Sequence, residues 1–125
     1  FPFGDEYIRL ESVQNAIDQS QLIAKNILGA NLDYKPLPWF WSDQYDIKLQ
    51  IAGLNNGYNQ IVSRINKEAF SMSNWYYKDD TFLAVDAIND SRAYMVGKRL
   101  LEAGKSPNKL ELPNPEIDLK DLLRQ

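Results

Sequence analysis

The sequence predicts an α+β fold: a leading amphipathic helix, a small antiparallel β-sheet of about four to five strands, and one or two helices packed on a face of it. Three observations lead there. Apolar or small side chains recur at three- and four-residue steps from Val13 to Ile27, the repeat of a single helix face. Period-two alternation then returns in successive runs between Asp46 and Asn89, with short polar turns between them, as in consecutive antiparallel strands. A second helical stripe, Ala93, Val96, Gly97, Leu100 and Leu101, follows directly.

Taken in order, the first helix spans residues 12–28. Val13, Ala16, Ile17, Ser20, Ile23, Ala24 and Ile27 form its stripe, Ser12 is the N-cap, Glu11 sits by the positive end of the dipole, and Gly29 stops it. Pro36 and Pro38 cannot continue a helix, so 30–38 reads as an extended connector, and the chain divides into 1–33 and 34–125. The first strand starts at Asp46, with Ile47, Leu49 and Ile51 on a buried face and Asp46, Lys48 and Gln50 on a wet one. Asn55-Asn56-Gly57 predicts a hairpin into a second strand, Gln60 to Ile65. Ala69 to Tyr77 is the third strand and Thr81 to Asn89 the fourth, joined by the turn Lys78-Asp79-Asp80. In the fourth, Phe82, Ala84, Asp86 and Ile88 oppose Leu83, Val85 and Ala87, so both faces are largely apolar and a central position is expected. Asp90 caps a second helix that runs to about Ala103, and Asp118 caps a short final helix anchored by Leu119, Leu122 and Leu123.

The 125 residues include no cysteine and no histidine. That removes disulfides, thiolate nucleophiles, thiolate or imidazole metal sites, cysteine-held iron–sulfur clusters and any serine triad built on imidazole. A net charge of -3 argues against nucleic acid or an anionic membrane as partner, since both need concentrated positive charge. No apolar run approaches the roughly 18 residues of a membrane span, and a cytoplasmic location is expected. Asp79, Asp80, Asp86, Asp90 and Asp118 each have a local reason to stand in a turn, strand or cap. Neither a calcium loop nor a glycine-rich phosphate loop is present. No catalytic residue and no metal site is therefore predicted. The start at Phe1, without an initiator methionine or a signal-peptide pattern, leads to the expectation that the chain is a segment of something larger.

One stretch carries more apolar surface than a small core requires. Trp39, Phe40, Trp41 and Tyr45 put four rings within seven residues, beside Pro38 and the polar Ser42, Asp43, Gln44 and Asp46. Neighbours in a strand point to opposite sides, so at least one of Trp39, Phe40 and Trp41 needs a second apolar surface. On the residues alone the run is equally a core anchor or an interface.

Four blocks carry a family resemblance: Arg9-Leu10-Glu11-Ser12-Val13-Gln14-Asn15-Ala16 followed by Asp18-Gln19; Pro38-Trp39-Phe40-Trp41-Ser42-Asp43-Gln44-Tyr45 leading to Gln50-Ile51-Ala52-Gly53-Leu54; Phe82 to Asn89; and Leu119-Lys120-Asp121-Leu122-Leu123. Together they resemble the C-terminal part of the FAD-dependent, NADH-using ferredoxin reductases of the glutathione-reductase-like fold, the group of putidaredoxin, rubredoxin and dioxygenase reductases. The resemblance implies that 1–33 ends an FAD-binding domain and that 34–125 is a C-terminal interface domain. It implies an oxidoreductase whose intact form uses FAD and NAD(P)H and passes electrons to a ferredoxin-type iron–sulfur protein. The nucleotide-binding fingerprints of that family precede the matched blocks, so this stretch is expected to bind no cofactor and to be inactive by itself. Ser12 and Val13 are the implied flavin contacts, mostly through backbone, at a helix start whose dipole and amides favour the negative charge of reduced flavin. Trp41 is implied beside the flavin, and Trp39, Trp41, Lys48 and Lys98 at the docking surface, where rings exclude water and lysines steer an acidic partner. Gln21 and Gln50 stand where family members can carry arginine and lysine.

Without an FAD-domain surface the stripe on the 12–28 helix is bare, and a homo-oligomer, dimeric or higher, through this helix is expected. The rival reading is a stand-alone α+β interaction or scaffold module without catalytic activity.

Overall fold

The computed structural model describes residues 2–3 and 5–125. The chain divides into two compact units, Phe1–Pro38 and Trp39–Gln125. The first opens with a short antiparallel pair, β1 (Pro2–Phe3) and β2 (Glu6–Tyr7), and continues into α1 (Val13–Ile27). Ser12 caps α1, its hydroxyl oxygen accepting from the Asn15 amide at 3.2 Å. Gly29 ends it with a φ of +94°, a conformation that glycine reaches without Cβ strain. The connector runs along the polar side of the helix: the Gln14 amide donates to Asp18 and to the Leu37 carbonyl, and the Tyr34 hydroxyl donates to Asn15. The apolar stripe lies on the open side, with Val13, Ile17, Ile23 and Ile27 between 51% and 80% exposed.

The second unit is a five-stranded antiparallel sheet with helices on one face, the predicted α+β class. Its strands are β3 (Trp39–Gln44), β4 (Ile47–Gly53), β5 (Gln60–Asn66), β6 (Ser71–Lys78) and β7 (Thr81–Ile88), in the order β3-β4-β7-β6-β5. α2 (Ser91–Glu102) crosses β7 and β4, and a 3-10 helix, Leu119–Arg124, packs on α2. Asp90 and Asp118 cap these two elements as predicted, accepting from the Ala93 and Lys120 amides. Among the described residues, no helix is long and apolar enough to cross a membrane.

Several local expectations are corrected. The aromatic run is itself an edge strand, β3, and Tyr45-Asp46 is the turn into β4, with Tyr45 at a φ of 55°. Asn55 to Gly57 does not make a hairpin between β4 and Gln60–Asn66. The Asn59 side chain donates to Asp79 and accepts from its amide, and the Asn59 amide donates to the Tyr77 carbonyl. These bonds hold the start of β5 against β6, while β7 comes back to pair with β4. The faces of β4 are also reversed from expectation. α2 covers the side carrying Gln50 and Ala52, and Ile47 on the other side is 50% exposed. Finally, Tyr76 pairs with Ala84 but Tyr77 with Phe82, leaving Leu83 as an extra residue in β7. That bulge turns Phe82 onto the same face as Val85 and Ala87, which simple alternation had separated.

The core lies between sheet and helices: Trp75, Tyr77, Val85 and Leu100 are fully buried, with Leu112 and Leu122 from the closing segment. Its polar atoms are satisfied. The Trp75 indole donates to Ser73 at 2.9 Å and the Tyr77 hydroxyl to the Pro107 carbonyl at 2.8 Å. Gly53 brings β4 against the bulge; a Cβ there would meet the Leu83 carbonyl oxygen.

Candidate functional site

Edge strand β3 places Trp39, Trp41 and Asp43 on the face that α2 partly covers, because side chains two apart share a side. Across the ladder they stand opposite Ala52, Gln50 and Lys48. Trp39 packs against the core, while Trp41, one step further from the helix, is 41% exposed. The two indoles stack with centroids 5.3 Å apart and planes 24° from parallel. From α2, the Lys98 ammonium sits 5.4 Å from the centre of the Trp39 ring, within the range of a cation–π attraction. Phe40 points to the opposite face and is 44% exposed, so the run serves both as core anchor and as surface.

Trp39, Trp41, Asp43, Lys48, Gln50 and Tyr94 line a shallow cleft of about 300 Å³. Its floor is aromatic and its rim carries one cation and one anion directly across the strands, Lys48 and Asp43. Gln50 is held in place by Ser91, whose hydroxyl lies 3.0 Å from the amide oxygen. Tyr94 is nearly buried, and that burial, followed by the charge of Glu102, pushes the pKa of its phenol up. Sequence reasoning had not singled out Tyr94. The available signal was its spacing of four from Lys98, which puts both on one side of α2.

The structure thus brings Trp39, Trp41, Lys48 and Lys98 together on one surface. Ser12 and Val13 belong to the first unit. There the Ser12 hydroxyl is engaged in capping and Val13 is 59% exposed at the start of α1, a turn that contains no acidic residue. Among the described residues, no cluster of carboxylates could hold a metal ion. The arrangement is a stack of two indoles at a sheet edge, one packed on the core and one open to the surface, with the Lys98 ammonium against the first.

Comparison with known proteins gives a consistent picture. Residues 39–123 match the family model described as reductase C-terminal. The chain is 42% identical to a ferredoxin–NAD(P)(+) reductase of Sphingomonas over 98% of its own length and 30% of the relative's. It is similar to the crystal structure of the ferredoxin reductase for the CYP199A2 system of Rhodopseudomonas palustris, with a TM-score of 0.86 and 37% identity over 93% of this chain and 29% of that one. A covalent putidaredoxin reductase–putidaredoxin complex is similar at the same TM-score of 0.86 and 32% identity, over 96% of this chain and 29% of the matched one. The chain therefore spans under a third of the length of these relatives.

Proposed function

The chain belongs to the reductase C-terminal family, and from that premise we propose that it works within a flavoprotein reductase that passes electrons from NAD(P)H through FAD to a small iron–sulfur ferredoxin. The observation that carries this reading is the Trp39–Trp41 stack: two large rings at a sheet edge, one anchored in the core and one open to the surface, with Lys98 against the first and Lys48 on the rim of their cleft. A planar flavin ring fits beside an exposed indole, and Trp41 is the residue we assign to that contact. Ser12 and Val13 would contribute backbone at the start of α1, where dipole and amides favour negative charge. FAD, when bound, supplies the conversion of a two-electron donor into single-electron transfers. This chain's own residues position and exclude water: Trp39 and Trp41 keep the gap between donor and acceptor dry, and Lys48 and Lys98 attract an acidic partner.

By itself the chain is assigned no activity and no bound cofactor, and its cysteine-free composition suits a cytoplasmic electron-transfer system. The open stripe on α1 is a surface that the rest of a reductase would cover. In its absence we propose that α1 associates with a neighbouring copy.

The test uses tryptophan emission. Trp41 is 41% exposed, Trp39 is partly buried against the core and Trp75 is fully buried, so titration with oxidised putidaredoxin should quench part of the emission saturably, and W41A should remove most of the change. A titration in which the quench is identical in W41A, or absent in the unaltered chain, overturns the docking role.

A further inference from the structure

The strand farthest from the tryptophan site, β5, ends the sheet with an edge that has few of the usual safeguards. It is seven residues long and pairs with β6 in unbroken register from Gln60 to Asn66. Among the described residues, no backbone bond from any other segment reaches its outer side. Natural edge strands are normally blunted by free lysines, prolines, bulges or inward-pointing charges. β5 has no lysine, proline or bulge and carries only the last of these. Its one charged residue, Arg64, is turned inward, with its guanidinium donating to the Leu112, Asn114 and Ile117 carbonyls. Val62 is buried on that inner face, while Ile61, Ser63 and Ile65 face outward, the two isoleucines 45% and 59% exposed.

The pattern is also self-complementary. Read in either direction from Ser63, the outward face is isoleucine, serine, isoleucine. The opposite edge, β3, has no such symmetry, since reversal about Trp41 would set Trp39 against Asp43 and reversal about Ser42 would set Phe40 against Gln44. We propose that β5 is a homodimer interface: it pairs antiparallel with β5 of a second copy about a two-fold axis at Ser63, forming one continuous ten-stranded sheet. In that register Ser63 faces Ser63 of the second copy and Ile61 faces Ile65 of the second copy, twice. Cross-strand β-branched pairs on an exposed face are the contacts that stabilise such a ladder, and an isologous contact closes after two copies. The occupant is a second copy because the strand's own outward pattern matches itself. The proposal is independent of the flavoprotein reading and of any association through α1.

The absence of native cysteine makes the register directly testable. In an antiparallel pair, Cβ atoms directly opposite lie about 5 Å apart, within reach of disulfide geometry after a small adjustment. S63C should therefore form a disulfide-linked dimer under mild oxidation at least tenfold faster than Y45C, a control at a 98% exposed turn position. I61C and I65C should each couple no faster than Y45C alone, but fast when mixed. Sedimentation of the cysteine-free chain supplies a second measurement, with I65K raising the dimer dissociation constant at least tenfold. I23K, on the open stripe of α1, should leave the S63C rate unchanged. Coupling of S63C at the Y45C rate, self-coupling of I61C as fast as S63C, loss of S63C coupling in I23K, or an unchanged dissociation constant in I65K overturns the proposal.

Discussion

Gly97 rests against Val85 so closely that a Cβ on the glycine would lie 2.5 Å from the Val85 Cγ1 atom. This contact sets how near α2 approaches the centre of the sheet. In an exposed helix, replacing glycine by alanine stabilises by about 0.5–1 kcal/mol. Here the sign reverses, because overpacking a close-packed core costs about 1–3 kcal/mol. G97A should lower the urea midpoint, and V85A in the same chain should restore part of it, with the double variant more stable than the sum of the two single effects. Strict additivity would show that the helix shifts without resistance.

Arg64 makes a second long-range connection. Its three bonds, at 3.1, 2.9 and 2.9 Å, gather carbonyls of Leu112, Asn114 and Ile117, a stretch with little regular structure of its own. Hydrogen bonds from a charged donor contribute roughly 1.5–3 kcal/mol each, and they are not additive. R64A should cost about 2–4 kcal/mol, and R64K should recover little, since an ammonium cannot span three acceptors with a planar fork. Hydrogen exchange should show faster exchange in residues 112–117 for both variants, with β3 and β4 unchanged.

A pH dependence follows from the phenols. Tyr76 is pushed up to about 12 by burial, then by the hydrogen bond its hydroxyl donates to Asp86 and by the charges of Asp86 and Tyr58. Burial raises Tyr77 as well. An unfolded tyrosine titrates near 10, so between about pH 10 and 12 the unfolded chain loses protons that the folded chain keeps. The stability carried by these groups is complete below about pH 10 and is lost as pH rises through the folded values. Urea midpoints measured from pH 8 to 12 should fall steeply above 10. Y76F should begin about 1–2 kcal/mol lower and decline less. Parallel curves for the two proteins would show that Tyr76 does not contribute to the alkaline loss.

What could be read from the residues follows the range of the forces involved. The caps at Ser12, Asp90 and Asp118 and the stop at Gly29 are local chemistry, and they appear where expected. The central place of β7 was legible because both of its faces are largely apolar. The partner of β5 was not: Asn56-Gly57 says that the chain reverses, but the neighbour is a strand distant in sequence, held by the ladder with β6 and by bonds such as that of Asn59 with Asp79, twenty residues away. The covered face of β4 was missed because Ile47, Leu49 and Ile51 outweigh Ala52 and Gly53 in any count of apolar groups. Small residues are what α2 and the bulge at Leu83 require there. Trp39 and Trp41 could be placed on one face from their spacing alone. The position of Lys98 over Trp39 is a tertiary fact with no local trace.

The last prediction concerns charge at that site. Lys98 lies over Trp39, and Lys48 faces Asp43 across the ladder, so the cleft itself carries one cation and one anion, with a second cation against the Trp39 ring. If an acidic carrier docks here, the lysines act at long range, and their effect should shrink with salt because the Debye length falls from about 10 Å at 0.1 M to 3 Å at 1 M. K48E and K98E should each weaken putidaredoxin binding about tenfold at low ionic strength and far less at 1 M salt, mostly through a slower association rate. W41A should behave oppositely, with a loss that persists at high salt and appears in the dissociation rate, since it removes contact area. Stopped-flow titrations across ionic strength separate the two patterns. Equal salt slopes for K98E and the unaltered chain would remove Lys98 from the docking surface and leave it only the role of packing against Trp39.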